Sequence, residues 1–459
     1  MGTKQSKEIS SSSERQEQVG DPDKETVMEE QNTTEKQVSC VVVGAGQRGS
    51  GYATYAKSFP DLLKIVAVAD PSESNSSRFK KTHNIDDSMV FSGWKELATM
   101  DKMADFACIC TPDRVHKDAA MAFIKKGYHI LLEKPMATSE EDCTEICEAC
   151  KEHNVMLCVC HVLRYYPPNL KIKELIESGI IGDVVTIQHL EPVGFFHFAH
   201  SYVRGNWRNT EQSSFSLLAK SCHDIDLICS WMPTQCKRVS SFGSLNHFKP
   251  ENKPKDAGNR CTDCSVESTC PYSAVKIYLD RAKRGNFRWP VSIVTDVEDL
   301  EVLKEKLQTG PYGRCVYECD NDVCDNQVVN MEFEGGKTAS FTMIAFTESV
   351  CARQTKVFGT LGELTYNGDI EVDHFDFLSK QRKTYYCTSN ATAGLGGHGG
   401  ADFHLVQNFI KAVAENDPSY IKSGIDETLE SHRIVFAAEQ SRLSGKTYQR
   451  TDDGKWVVS

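Results

Sequence analysis

"VSCVVVGAGQRGSG", Val38 to Gly51, decides the fold. An apolar, β-branched run stops on Gly44-x-Gly46-x-x-Gly49 and then continues into a helical pattern. A lone GxGxxG says little. Here it closes a strand and opens a helix, and the next apolar run, "LKIVAVADP", ends on Asp70 about 20 residues further on. The three glycines serve different physical ends. Gly44 permits the tight turn, Gly46 lets backbone N–H groups approach a pyrophosphate, and Gly49 lets helix and strand pack closely. The orphan N–H groups at the helix start would hold the phosphates. Asp70 would accept hydrogen bonds from ribose hydroxyls and repel a 2′-phosphate, so NAD is expected over NADP.

Working outward, "ADFACICTP", "GYHILLEKP" and "VMLCVCH" are further apolar runs, separated by helical stretches such as "DAAMAFIKKG" and "EEDCTEICEACKEH". Continuous apolar strands alternating with helices specify a parallel sheet covered on both faces. The expected fold class is α/β: an N-terminal Rossmann domain, doubly wound, over residues 37–160. After His161 the pattern changes to period two with glycine turns, as in "GDVVTIQHLEP" and "RQTKVFGTLGELTYNG". That predicts a C-terminal α/β domain, 161–459, with a largely antiparallel sheet. Within it, "LLAKSCHDIDLICSWM" reads as one helix. Residues 1–36, rich in Ser, Glu, Gln and Lys, read as a disordered tail.

Composition narrows the classes. A chain of 459 residues exceeds one ordinary core, and roughly 150 residues per domain suggests two or three domains. A net charge of −12 argues against a nucleic-acid surface. The 19 cysteines, scattered through predicted helices and strands, fit a reducing compartment. No secretory h-region or membrane-length apolar run is visible, so a cytoplasmic location is expected. At the first residues Gly2 and Ser6 fit the N-myristoylation pattern. One acyl chain without a second anchor gives at most weak membrane association. A chance match in a polar tail is the other reading.

In an open parallel sheet, ligands bind at the carboxyl ends of the strands. "CICTPD" and "ILLEKP" end there, on Thr111-Pro112 and Glu133-Lys134-Pro135. Proline holds the preceding residue extended, which helps aim Lys134 into the cleft. The glycine loop, Asp70, "TPDRVHKDAAMAFIKKGYHILLEKPMA" and a later "HDID" resemble the glucose–fructose oxidoreductase / inositol dehydrogenase (Gfo/Idh/MocA) family, from about Val38 to the C-terminus. The resemblance implies an NAD-dependent oxidoreductase acting on a secondary alcohol of a sugar, cyclitol or related polyol. The expected cofactor set is Gly44, Gly46, Gln47, Arg48, Gly49, Asp70, Thr111, Pro112, His116 and Glu133. The resemblance places Lys134 beside the nicotinamide and makes His223 the acid/base. Elementary chemistry agrees, since hydride transfer from a carbinol needs an acceptor for the hydroxyl proton, and histidine titrates near neutrality. On one helix, Lys220, His223 and Asp224 would share a face, with Lys220 steering the alcohol. One departure stands out: the family's Asp four residues before the histidine is Ala219 here. An altered proton relay and a loss of turnover both stay open.

By the same resemblance Arg164, Tyr165, Arg204, Trp207 and Arg208, with Asp224, line the substrate side. Aromatic faces suit the C–H face of a sugar, and an arginine fork suits a carboxylate or phosphate. Surface arginines beside a core tryptophan are the alternative. The loop "GLGGHGGAD", with His398 and Asp402, is expected to border the same cleft. In a Cys-containing insertion, 249–280, Cys261, Cys264 and Cys270 have the spacing of a structural zinc site, with Cys319 as fourth ligand and Cys315 or Cys324 as alternates. Unliganded thiols are the other reading. A homo-oligomer is expected through the exposed face of the second sheet. Two alternatives to a simple dehydrogenase remain: elimination or glycoside cleavage by transient oxidation, and a silent NAD-binding regulator.

Overall fold

Six short strands build the first sheet: β1 (Val38–Val43), β2 (Leu63–Ala69), β3 (Val90–Phe91), β4 (Phe106–Ile109), β5 (His129–Leu132) and β6 (Leu157–Val159). They lie in the order β3-β2-β1-β4-β5-β6, all parallel. The order reverses beside β1, which puts the ligand crevice at its carboxyl end. Side chains alternate as the pleat demands: Val38, Cys40 and Val42 enter one core, while Val41 and Val43 enter the other. Both faces are buried, so the strands read as unbroken apolar runs. This is a computed structural model, and it describes residues 36–389, 391 and 397–459. The Gly2 acylation pattern and residues 1–35 of the expected tail lie outside the described residues.

The second sheet has ten strands: β7 (Val184–Pro192), β8 (Cys236–Ser244), β9 (Asn326–Phe333), β10 (Thr338–Ile344), β11 (Gln354–Gly359), β12 (Gly362–Tyr366), β13 (Glu371–Asp376), β14 (Arg382–Tyr386), β15 (Tyr448–Arg450) and β16 (Trp456–Val458). Their order is β14-β13-β12-β11-β7-β10-β9-β8-β15-β16, and the β7–β10 pair is parallel. The expected largely antiparallel sheet is what forms. The Ile425–Ser444 helix packs on β8, on the Cys222–Trp231 helix and on the Glu140–Glu152 helix, and so ties the second sheet to the first.

One expectation is corrected. The stretch read as a single helix is two, Ser216–Ala219 and Cys222–Trp231, with Lys220 and Ser221 between them. No described helix is long and apolar enough to cross a membrane.

Candidate active site

The glycine loop has the shape its spacing requires. Gly44 sits at φ +95°, and a Cβ there would meet the Cys110 carbonyl oxygen at 2.5 Å. A Cβ on Gly49 would meet the Gly44 oxygen at 2.0 Å, whereas one on Gly46 would meet nothing within 4 Å. The first and third glycines are therefore steric necessities, and the second opens onto free space at the helix start. Beyond β4, the Thr111 hydroxyl is buried without a partner. An open cradle after β1 and an orphaned hydroxyl after the neighbouring β4 fit a dinucleotide. Asp70 accepts from Ala45 N (2.7 Å) and Ser72 N (2.8 Å), which braces the loop and leaves lone pairs on both oxygens.

Two of the expected cofactor contacts are engaged elsewhere. Arg48 clasps Asp402 through Nη1 and Nη2 (2.9 and 3.0 Å) and donates from Nε to Glu133 (2.6 Å), so its fork is not free for a pyrophosphate. His116 is buried between the carbonyls of Thr111 and Pro135, 2.8 and 2.7 Å from its ring nitrogens, and cross-links the two strand ends. Gln47 donates to Ser292 (3.0 Å). Pro112 starts the turn before Asp113.

Lys134 extends from the end of β5 and donates at 2.6 Å to the carbonyl of Ala219, the last residue of the short helix four positions before His223. Its ammonium lies 5.9 Å from the centre of the Trp207 ring. Trp207 is anchored by its indole N–H on Asp113 (3.3 Å). An ammonium has three donors, so two remain for a ligand. Behind it, Glu133 accepts from Tyr52 (2.7 Å) as well as Arg48. His223 is buried and its Nδ1 has no partner. Burial pushes its pKa well below the usual histidine value, and Lys134, His161, Arg353 and His398 push the same way. The ring is held neutral, as a base requires. His398 approaches from the other side, its ring 6.3 Å from that of His223, and donates from Nδ1 to Asp402 at 3.0 Å. Burial alone would raise the Asp402 carboxyl, but Arg48 and His398 hold it well below the ordinary carboxylate range.

Most of the residues expected on the substrate side are engaged by protein partners. Lys220 is paired with Glu191 (3.2 Å) and donates to Cys351 Sγ (2.9 Å). Burial opposes its charge, yet Cys351 and Glu191 hold the ammonium above its usual range. Asp224 is wholly buried, accepting from Arg353 Nε (2.7 Å) with His189 Nε2 at 3.1 Å. Arg164 is clamped on Asp226. Tyr165 is buried, its hydroxyl accepting from Lys422 N at 2.9 Å. Arg204 is also buried, donating to the Arg314 and Tyr272 carbonyls (2.7 and 2.8 Å). Arg208 forks onto Asp320 at the surface. Of the aromatic and arginine set, Trp207 alone stands beside Lys134.

The zinc expectation is corrected too. Cys261, Cys264 and Cys270 line one cavity with Cys315. Among the described residues, however, no group of three or more His, Cys, Asp or Glu side chains is arranged to hold a metal ion. The sulfurs are engaged separately: Cys261 accepts from Arg204 (3.4 Å), Cys264 from Gly258 N (3.3 Å), and Cys319 turns to the Cys315 carbonyl (3.3 Å).

Sequence reasoning missed Tyr52, His161, Asp226 and His432 around this site. A signal existed for His161, which ends "VMLCVCH" at the same edge of the sheet as Lys134.

The class that this fold and site define is a two-part NAD-binding oxidoreductase, and comparison with known proteins agrees. Residues 38–161 match the oxidoreductase family with an NAD-binding Rossmann fold, and residues 173–449 match that family's C-terminal alpha/beta domain. The chain belongs to the Gfo/Idh/MocA oxidoreductase family and is an enzyme of that oxidoreductase class. The Bacillus subtilis relative YteT is 26% identical over 376 residues, covering 78% of this chain and 79% of its own. The 2,7-anhydro-N-acetylneuraminate hydratase of Escherichia coli is 28% identical over 210 residues, 46% of this chain and 54% of the relative, so that match spans about half of it. Levoglucosan dehydrogenase, solved with NADH and levoglucosan, superposes with a TM-score of 0.67 at 17% identity, covering 90% of this chain and 99% of that one. At that identity the likeness is one of fold.

Proposed function

We propose that this enzyme transfers hydride between NAD and a secondary alcohol of a sugar, cyclitol or related polyol. The observation that carries the reading is Lys134 docked on Ala219 O beside the neutral, buried His223. When bound, the nicotinamide supplies the hydride acceptor. Gly44, Gly46 and Gly49 shape its phosphate cradle, and Thr111 offers a free hydroxyl at its edge. Lys134 polarises the substrate oxygen with its two free donors, and His223 takes or returns the hydroxyl proton. Trp207 presents a ring face to C–H bonds. Asp70 favours NAD over NADP by charge, so Asp70→Ala would narrow the kcat/KM gap between the two cofactors. The exposed Val185 on β7 and Phe242 on β8 support homo-oligomer contacts through the second sheet, which light scattering would test.

The His398–Asp402 pair favours a second reading. A histidine oriented by a carboxylate is a further acid/base group, of the kind that elimination after transient oxidation requires, and the Escherichia coli relative is named a hydratase. Purified protein with NAD and a panel of polyols and anhydrosugars separates the two. Accumulating reduced nicotinamide supports the dehydrogenase, and bond cleavage or hydration without net reduction supports the second. Cofactor binding with no conversion of any panel member would contradict both.

A further inference from the structure

His161 stands at the carboxyl end of β6, fully buried, with both ring nitrogens lacking a hydrogen-bond partner. An unsatisfied buried polar group costs about 1–3 kcal/mol and calls for an explanation. Its ring meets that of His223 edge-on, centroids 5.4 Å apart at 80°. Nδ1 of His223 is likewise buried without a partner. Two imidazoles joined by an N–H···N bond of about 2.9 Å would have centroids roughly 5 Å apart. The observed separation is close to that value, so turning the two rings until His161 Nε2 and His223 Nδ1 face each other would connect them. His161 Nδ1 lies 3.9 Å from Asp226 Oδ2. Asp226 is fixed by Arg164 and by the Ser431 hydroxyl (3.0 Å).

We infer that His161 is a positioning residue for His223, linking its Nδ1 to the buried Asp226 carboxylate. The inference rests on the reading of His223 as the acid/base. In the linked arrangement His161 Nδ1–H points at Asp226, and His161 Nε2 accepts from His223 Nδ1–H. That fixes the His223 tautomer with a lone pair on Nε2. The substrate hydroxyl proton would go to that Nε2, and oxidised nicotinamide, when bound, would supply the acceptor for the hydride released as the carbonyl forms. The imidazolium is then faced by an anion through His161, and no second proton has to move.

The surroundings leave one direction for this chain of bonds. His432 also packs on His161, centroids 5.4 Å apart. Its Nδ1 donates to the Thr428 carbonyl and its Nε2 accepts from Met136 N, both at 3.0 Å, so it has no capacity left. The charges around His161 are Asp226, Arg164, Lys134 and Glu133; those around His223 are Lys134, Arg353 and His398. Cations dominate at His223, and Asp226 is the carboxylate that can offset them from behind. The chain lacks the family Asp at Ala219, and His161 with Asp226 puts a carboxylate behind the histidine by another route.

Histidine-selective 15N NMR on the whole protein with NAD tests this directly: His223 is expected as the Nδ1–H tautomer, and an Nε2–H tautomer overturns the inference. On the best alcohol of the panel, His161→Phe should lower kcat about 10–100-fold, the scale of loss when the hydrogen-bond partner orienting a metal-bound histidine is removed. KM and the NAD dissociation constant should hold, and the pH profile should shift. His161→Gln, which can accept from His223 and donate to Asp226, should recover most of the rate. Unchanged kcat and pH profile in His161→Phe would overturn it, as would no difference between Phe and Gln. If His223→Asn retains full activity, the acid/base reading fails instead, and the tautomer experiment still reports on His161.

Discussion

Arg164 and Arg208 make the same contact in opposite surroundings. Each holds one aspartate through two nitrogens, Arg164 on Asp226 at 2.6 and 2.9 Å, Arg208 on Asp320 at 2.8 and 3.1 Å. The first pair is 9% and 1% exposed, the second 20% and 46%. Geometry follows from the guanidinium fork and is nearly identical. What each pair is worth follows from water. At the surface the pair is screened and readily replaced by hydration, whereas inside no solvent stands ready to take the place of a lost partner. Residue type alone makes both look like substrate forks, but the fold makes one a surface clasp and the other a pillar behind the active site.

The comparison can be broken by removing each carboxylate. Asp226→Asn should lower the unfolding free energy by about 3–5 kcal/mol, because it strands a buried guanidinium. Denaturant titration measures this, and a loss under about 1 kcal/mol would mean that the interior pair is no different from the exterior one. The next effect comes from pH. Burial and contact with His161 lower His432 to about 3, and burial likewise lowers His161 and His223. The unfolded chain takes up protons near the usual histidine value of about 6.5, and the folded chain resists. Stability should therefore be full above that pH and fall below it, by about 1.4 kcal/mol per pH unit for each such histidine. For His432 the loss continues down to about pH 3. Melting curves from pH 7 to pH 5 test the sign, and rising stability over that range would contradict it. The smallest effect belongs to the surface: Asp320→Asn should cost at most about 1 kcal/mol, and less at high salt.

The same contrast explains what is legible in the sequence. Strands buried on both faces announce themselves as apolar runs, and Gly44 and Gly49 are required by backbone approach, so the first domain can be read locally. The "EKP" at the end of β5 and the "HDID" helix point to Lys134 and His223 through the resemblance. The partners of these residues cannot be read, because they are distant in the chain: Arg48 and Asp402 are separated by 354 positions. The break between Ala219 and Cys222 is invisible because "LLAKSCHDIDLICSWM" contains neither proline nor glycine. Arg204 reads as a substrate-side residue and is buried among carbonyls. The cysteines of the insertion have ligand spacing, but spacing cannot say where each sulfur points.

The central claim is spatial: Lys134 and His223 serve one nicotinamide. A crystal structure of the protein with NAD measures it most directly. The expected result is the C4 edge of the ring in the space bounded by the Lys134 ammonium and the His223 imidazole, with the pyrophosphate over Gly46. A nicotinamide lying in a cavity that only one of those side chains reaches would contradict it.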